Sequence, residues 1–319
     1  MLRDALHEQW AIDVGALEYA PVGFGGHHWR ALDSRRVPWF VTVDDLDAKS
    51  WLGEERDEVM VGLSRAYTAA ESLREDCGLG FVLSPVAGTD DAVARRLTDR
   101  WAVSVVPHVD GRAGGFADRF PAELHDELGA MLAALHASSP AVRPRPDDPA
   151  GPEREAVLDL LDAVGEPWEG GPWSEHARAW CVDHRDVIRR LLDRHEALLG
   201  QVTDAPHVVT HGEPHSGNVL VSDGRCLLID WDTIATAPPE RDLWLAAGGW
   251  SGPYDEALLH SYRRISGRDL DRDLLDLYRV DWLLSDVASL AGRLRAPHGR
   301  TPEVDAVWGF LTGLRLDID

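Results

Sequence analysis

The chain has 319 residues, 44% hydrophobic and 27% charged, with 32 Lys plus Arg against 55 Asp plus Glu for a net charge of -23. That length predicts about two domains or one bilobal unit, and the composition excludes a disordered or fibrous chain. So acidic a chain repels polyphosphate, which argues against nucleic acid or an anionic membrane as partner and in favour of a cationic small molecule.

In chain order, the first eight residues mix charged and apolar types without the apolar core of a signal peptide. Leu17–Val22 reads as a strand, Gly23-Phe24-Gly25-Gly26 as a glycine turn, and His27–Leu32 as the returning strand. Glycines between two strands also let backbone amides approach a phosphate. Trp39–Val43 is the next strand. From Glu54 to Cys77, Val59, Leu63, Tyr67 and Leu73 recur at helical spacing, with Gly78 as the stop. Phe81–Leu83 is a short strand, and Ala92–Arg96 pairs with Trp101–Val106 around Thr98-Asp99-Arg100.

Beyond Pro107 the texture changes. Helical spacing runs over Leu124–Leu135, Glu155–Val164, Glu175–Leu199 and Tyr254–Leu314, the last with breaks near Gly267 and His298. The Pro- and Asp-rich stretch 139–152 reads as an exposed connection. No run of about 20 apolar residues offers a membrane span. Cys77, Cys181 and Cys226 are odd in number and widely spaced, which opposes a disulfide framework and fits a reducing cytoplasm. The expected organisation is an α+β chain: a sheet-rich N-lobe with one long helix over residues 1–106, and a larger helical C-lobe over 107–319.

The most informative segment lies within the helical part. Val219-Leu220-Val221 and Cys226-Leu227-Leu228-Ile229 flank Ser222-Asp223-Gly224-Arg225, a hairpin signal. Glu213 precedes the first strand, Asn218 enters it and Asp230 leaves the second. A carboxylate, an amide oxygen and a second carboxylate around one hairpin suit phosphoryl transfer. That chemistry needs a positioned hydroxyl and hard oxygen ligands for magnesium more than covalent help. His211 and His215 lie four apart, but Gly212 and Pro214 oppose the helix that a zinc His-Glu-x-x-His pattern requires.

His211-Gly212-Glu213-Pro214-His215-Ser216-Gly217-Asn218 resembles the His-Gly-Asp-x-His-x-x-Asn catalytic loop of the aminoglycoside phosphotransferase family, which has a bilobal protein-kinase-like fold. Leu228–Asp232 is similar to that family's metal-binding strand end, and Pro239–Trp244 to the acidic segment after it. Leu132–His136 and Asp281–Asp286 resemble flanking C-lobe helices. The likeness spans most of the chain and is sharp over 208–244.

The resemblance implies Glu213 at the catalytic base, His211 at a loop-supporting position, and Asn218 and Asp230 at Mg2+. It implies ATP or GTP beneath Gly23, Phe24, Gly25, Gly26 and His27, with Thr42 and the Val106–His108 hinge beside it. Asp232, Glu240, Asp281 and Trp282 are the expected substrate contacts. Asp242 reads as a buried cap. The expected acceptor is a hydroxylated, amino-containing molecule.

Two departures stand out. Glu213 replaces the usual aspartate, and its extra methylene moves the oxygens by ~1.5 Å, where about 1 Å of misplacement can cost ~100-fold in rate. Thr42 stands where the family's strand lysine grips the phosphates. Glu71 on the following helix therefore has no lysine to pair with, and His27, His28, Arg30 or Lys49, the only lysine, are the candidate substitutes. These departures motivate the alternative of a catalytically weak nucleotide- or ligand-binding protein on the same scaffold.

Overall fold

Residues 1–22, 26–151, 153–201, 205–250 and 252–316 are described in the computed structural model; Gly23, Phe24 and Gly25 lie outside them. Leu2–Trp10 forms α1, a helix not expected from its mainly polar residues. It forms because Leu6 and Trp10 share one face. They pack with Ile12, Val41, Val43, Val103 and Val105 into the core on one side of a sheet.

That sheet comprises β1 (Val14–Ala20), β2 (Gly26–Asp33), β3 (Pro38–Asp45), β4 (Ala94–Arg96) and β5 (Trp101–Pro107), in the order β1-β2-β3-β5-β4. All its pairings are antiparallel. The helix expected after β3 is α2 (Arg56–Glu75), which buries Val59, Leu63, Tyr67 and Leu73. It ends as expected at Gly78, whose φ of 69° suits glycine, with the Leu79 N–H returning to the Leu73 carbonyl.

The remaining elements are α3 (His125–His136), β6 (Arg145–Pro146), α4 (Glu153–Ala163), α5 (Ser174–Asp183), α6 (Arg185–Leu199), β7 (Val208–Thr210), β8 (Val219–Ser222), β9 (Arg225–Leu228), β10 (Ala235–Ala237), α7 (Glu240–Ala246), α8 (Glu256–Ser266), α9 (Arg272–Arg295) and α10 (Pro302–Gly313). The chain is thus α+β, with an antiparallel sheet first and helices dominating later. Two expectations change in detail. The helix over 175–199 divides at His184, whose Nδ1 and backbone N–H both approach the Trp180 carbonyl. Phe81–Leu83 forms no ladder of its own but brackets Leu228 with two backbone bonds.

The chain falls into two compact units: residues 1–147, 207–242 and 256–268, and residues 148–206, 243–255 and 269–319. The expected change of texture at residue 107 falls inside the first. In that unit α3 packs on α8, and β10 joins β6 in parallel and β7 antiparallel. In the second unit α9 is the central helix. It buries Leu274, Leu277, Leu284 and Val287 among α4, α5, α6 and α10. No helix among the described residues is long and apolar enough to cross a membrane. Cys77, Cys181 and Cys226 are free.

Candidate active site

The hairpin forms as its sequence requires. β8 and β9 pair from Val219↔Leu228 to Ser222↔Arg225. Asp223 and Gly224 make the two-residue turn with φ of 48° and 74°, the doubly positive geometry for which Asp-Gly is suited. Its closed end carries no chemistry. Its open end joins the loop 211–218 to Asp230.

That loop is held from beneath by Asp242, which is fully buried. Its carboxylate accepts the His211 N–H at 2.9 Å, the Gly212 N–H at 2.6 Å and His136 Nε2 at 3.0 Å. Burial alone would raise its pKa, but the hydrogen bonds from His136 and the Gly212 N–H hold it below the usual carboxylate value. Asp242 is therefore the cap expected from the sequence, and His136, at the end of α3, is its lateral support. Tyr262 on α8 meets His136 Nδ1 at 2.8 Å. Gly212 turns at φ 101°, and a Cβ there would lie 2.6 Å from Arg241 Nη1. Arg241 braces the same turn through Thr210 Oγ1 and the Thr233 carbonyl.

His211 is fully buried and its protonation is legible from its partners. Nδ1 accepts the Glu213 N–H at 3.1 Å, so Nε2 carries the hydrogen donated to the Ile229 carbonyl at 2.9 Å. Burial pushes its pKa down to about 4, leaving a neutral ring that ties the loop to the end of β9. Asn218 completes the tie. Its Nδ2 donates to the Glu213 carbonyl at 3.1 Å, and its own carbonyl accepts the Ile229 N–H at 3.0 Å. The amide is thereby oriented with Oδ1 left as its open acceptor. His215 folds back onto the Gly217 N–H through Nδ1 at 3.0 Å.

Acidic groups crowd the open end. Glu213 keeps 30% of its side chain exposed, in a recess dense with protein atoms. Loss of hydration there, then the charges of Asp232 and Asp230, push its pKa up to about 8. Asp230 adopts φ 67° and is exposed at its surface. Partial desolvation, followed by the charge of Asp232, raises its pKa as well. A single lysine answers this charge. Lys49 follows β3 and is buried, with Nζ bonded to Asp232 and 3.1 Å from Asp44. Burial by itself lowers the pKa of the amine; Asp232 and Asp44 reverse this and raise it well above its ordinary value. Tyr67 on α2 donates to the other Asp44 oxygen at 3.1 Å.

The sheet sorts the expected nucleotide contacts. Register pairs His28 with Thr42 and Thr42 with Ser104, and Phe40 with Val106, so these side chains share one face. His27 pairs with Val43 and belongs to the opposite face, where its ring meets Tyr19, Trp29 and Trp101. The period of two thus separates His27 from Thr42 and puts His28 beside it, Nδ1 to Oγ1 at 3.3 Å. Gly26 opens β2, and His108 follows β5, its N–H donating to the Pro38 carbonyl.

Among the expected substrate contacts, Asp232 is bonded by Lys49, which a substrate amine would have to displace. Glu240 is buried at the start of α7. Asp281 and Trp282 belong to the second unit, on α9. Asp281 lies 3.3 Å from His195 Nε2, and Trp282 donates to Asp286 and tilts against Trp244. Sequence reasoning missed the Asp44–Tyr67 pair. Its signals were an aspartate at an inward strand position and a tyrosine on the apolar stripe of α2.

The model of the phosphotransferase enzyme family matches residues 66–278. Protein StrN of Streptomyces griseus is 27% identical over 275 residues, which are 82% of this chain and 79% of that protein. A solved structure of spectinomycin phosphotransferase in complex with ADP and spectinomycin has a TM-score of 0.74 at 20% identity, covering 97% of this chain and 91% of that one. Amicoumacin kinase in complex with AMP-PNP and Ca2+ has a TM-score of 0.60 at 14% identity, covering 98% and 91%. These structures share the kinase-like fold that the 211–218 motif implied. With well over half of its length inside the family match, the chain belongs to the phosphotransferase enzyme family.

Proposed function

We propose that this protein transfers the terminal phosphoryl group of ATP or GTP to a hydroxyl of a small, amino-containing molecule such as an aminoglycoside-like compound, with Mg2+. The observation that carries the reading is the open end of the β8–β9 hairpin, where Asn218 bonds the Glu213 carbonyl and the charge of Asp230 bears on Glu213.

The donor set fits a hard divalent cation. Asn218 has an oriented amide with Oδ1 open. Glu213 and Asp230 have raised pKa values because lost hydration, and then neighbouring carboxylates, disfavour their charged forms. No cluster of three or more His, Cys, Asp or Glu among the described residues forms a ready cage. Magnesium takes one or two protein oxygens and fills the rest from phosphates and water. Asn218 and Asp230 would hold Mg2+, whose charge would offset that of the phosphates. Glu213 accepts the proton of the acceptor hydroxyl, a role suited by a pKa near working pH. His211 and Asp242 keep the loop rigid so that Glu213 presents its carboxylate at fixed depth. Gly26, Thr42, Val106 and His108 are the described residues proposed for the nucleotide face. Glu240, Asp281 and Trp282 are proposed for the acceptor. A cationic acceptor follows from the net charge of -23.

Thr42 in place of a strand lysine favours a second reading, nucleotide binding without turnover. One screen separates the two. The purified protein is incubated with Mg2+ and ATP or GTP over a panel of hydroxylated amines, and products are read by mass spectrometry. An acceptor gaining one phosphoryl group is the expected result. Nucleotide binding with no product across the panel overturns the transferase reading.

A further inference from the structure

We infer that Lys49 is the cation that meets the nucleotide phosphates, delivered from the turn after β3 instead of from the strand itself. The inference rests on the nucleotide-dependent reading above and assigns a residue to it.

On the sheet face that carries Thr42, the other basic side chains serve poorly. His28 lies against Thr42 Oγ1, and burial lowers its pKa, which favours the uncharged ring. Arg30 is exposed. Thr42 has no charge. The expected partner of a strand lysine, Glu71, is not engaged by any cation among the described residues; its carboxylate meets the Ala87 backbone. The inward residue of α2 is Tyr67, and what it holds is Asp44, two residues beyond Thr42 on the same face of β3. Asp44 holds Lys49.

The helix-to-strand clasp is thus rebuilt with its polarity exchanged. The strand supplies the carboxylate, the helix supplies a phenol, and the following turn supplies the amine. Lys49 is 6% exposed, and the acids that face it among the described residues are Asp44 from β3, Glu213 from the loop before β8, and Asp230 and Asp232 from the segment after β9. An ammonium has three N–H donors. Asp232 and Asp44 take two of them, which leaves one donor for a phosphate oxygen. A surface lysine would reach phosphate at a higher cost in side-chain order, whereas this one is already fixed.

The chain contains no other lysine, which makes the test direct. A nucleoside triphosphate bearing an acyl group on its terminal phosphate acylates an amine within reach. The amine nitrogen bonds the acyl carbon, the acyl–oxygen bond breaks, the nucleotide leaves with the electron pair, and the proton passes to solvent. With wild-type protein, peptide mapping is expected to find the acyl group on Lys49, and excess ATP or GTP to suppress it. In parallel, Lys49→Met is expected to raise the nucleotide Kd by ~10-fold or more, as for loss of a charged hydrogen bond. Circular dichroism establishes that the variant is folded. Should it fail to fold, the wild-type labelling decides alone. Nucleotide that binds wild type but leaves Lys49 unlabelled overturns the inference and spares the transferase reading. A wild-type protein that binds neither ATP nor GTP overturns both.

Discussion

Asp242 concentrates the stability of the catalytic loop in one side chain. Replacing it with alanine strips an acceptor from the His211 and Gly212 amides and from His136 Nε2, all of them buried. A buried donor left without its partner costs about 1–3 kcal/mol, and more where the partner was charged. The three losses share one site and relax together, so the expected destabilisation is about 3–5 kcal/mol, the range found when one member of a buried ionic network is removed. Asp242→Asn keeps one oxygen but turns an NH2 toward donors, and is expected to cost roughly half as much. Tyr262→Phe removes only the phenol O–H that meets His136 Nδ1 and is expected to cost about 1 kcal/mol. Urea denaturation followed by tryptophan fluorescence measures all three, since Trp231 packs against the His211 ring at 4.7 Å. An Asp242→Ala protein within ~1 kcal/mol of wild type would refute the argument, as would a Tyr262→Phe protein equally destabilised.

Acid should loosen the same loop. An unfolded histidine takes up a proton below its ordinary 6.5, whereas folded His211 resists until about 4. The unfolded state therefore binds more protons in that window. The His211 contribution is complete above pH 6.5 and falls by up to about 3 kcal/mol as pH approaches 4; a His211→Asn protein, titrated alongside, should show a shallower fall. Asp286 works in the opposite direction. Burial raises its pKa from 3.8 to about 7, so its contribution is complete below pH 3.8 and is lost as pH rises through 7. Asp286→Asn should flatten that dependence in unfolding measurements at pH 5 and 8, by at most ~3 kcal/mol. Gly212→Ala adds a Cβ at φ 101° that would lie 2.6 Å from Arg241 Nη1; thermal unfolding should register a loss of about 2 kcal/mol or more. A neutral Gly212→Ala would mean that the loop moves freely.

The parts of this chain that were legible in advance are those with a local cause. The β8–β9 hairpin follows from Asp223-Gly224 between apolar runs, and α2 and its stop follow from helical spacing and Gly78. Asp242 was readable as a buried cap or ion pair because it sits between Arg241 and apolar Leu243-Trp244. What escaped depends on register or on contacts far apart in sequence. The placement of His27 and His28 on opposite faces turns on a period of two whose phase is set by pairing with β3. The Lys49–Asp232 pair joins residues 183 positions apart, and no spacing rule reaches that far. The α1 helix is weakly apolar by itself and gains its stability from the Val41 and Val103 side of the sheet.

The most direct test of the central claim compares Mg2+-dependent nucleotide turnover and nucleotide affinity in wild type, Glu213→Gln and Asp230→Ala. The account predicts that Asp230→Ala abolishes metal-dependent turnover. It predicts that Glu213→Gln loses turnover, typically ~100-fold or more for a displaced proton acceptor, while its nucleotide affinity stays close to wild type. Turnover unchanged in both variants would contradict it.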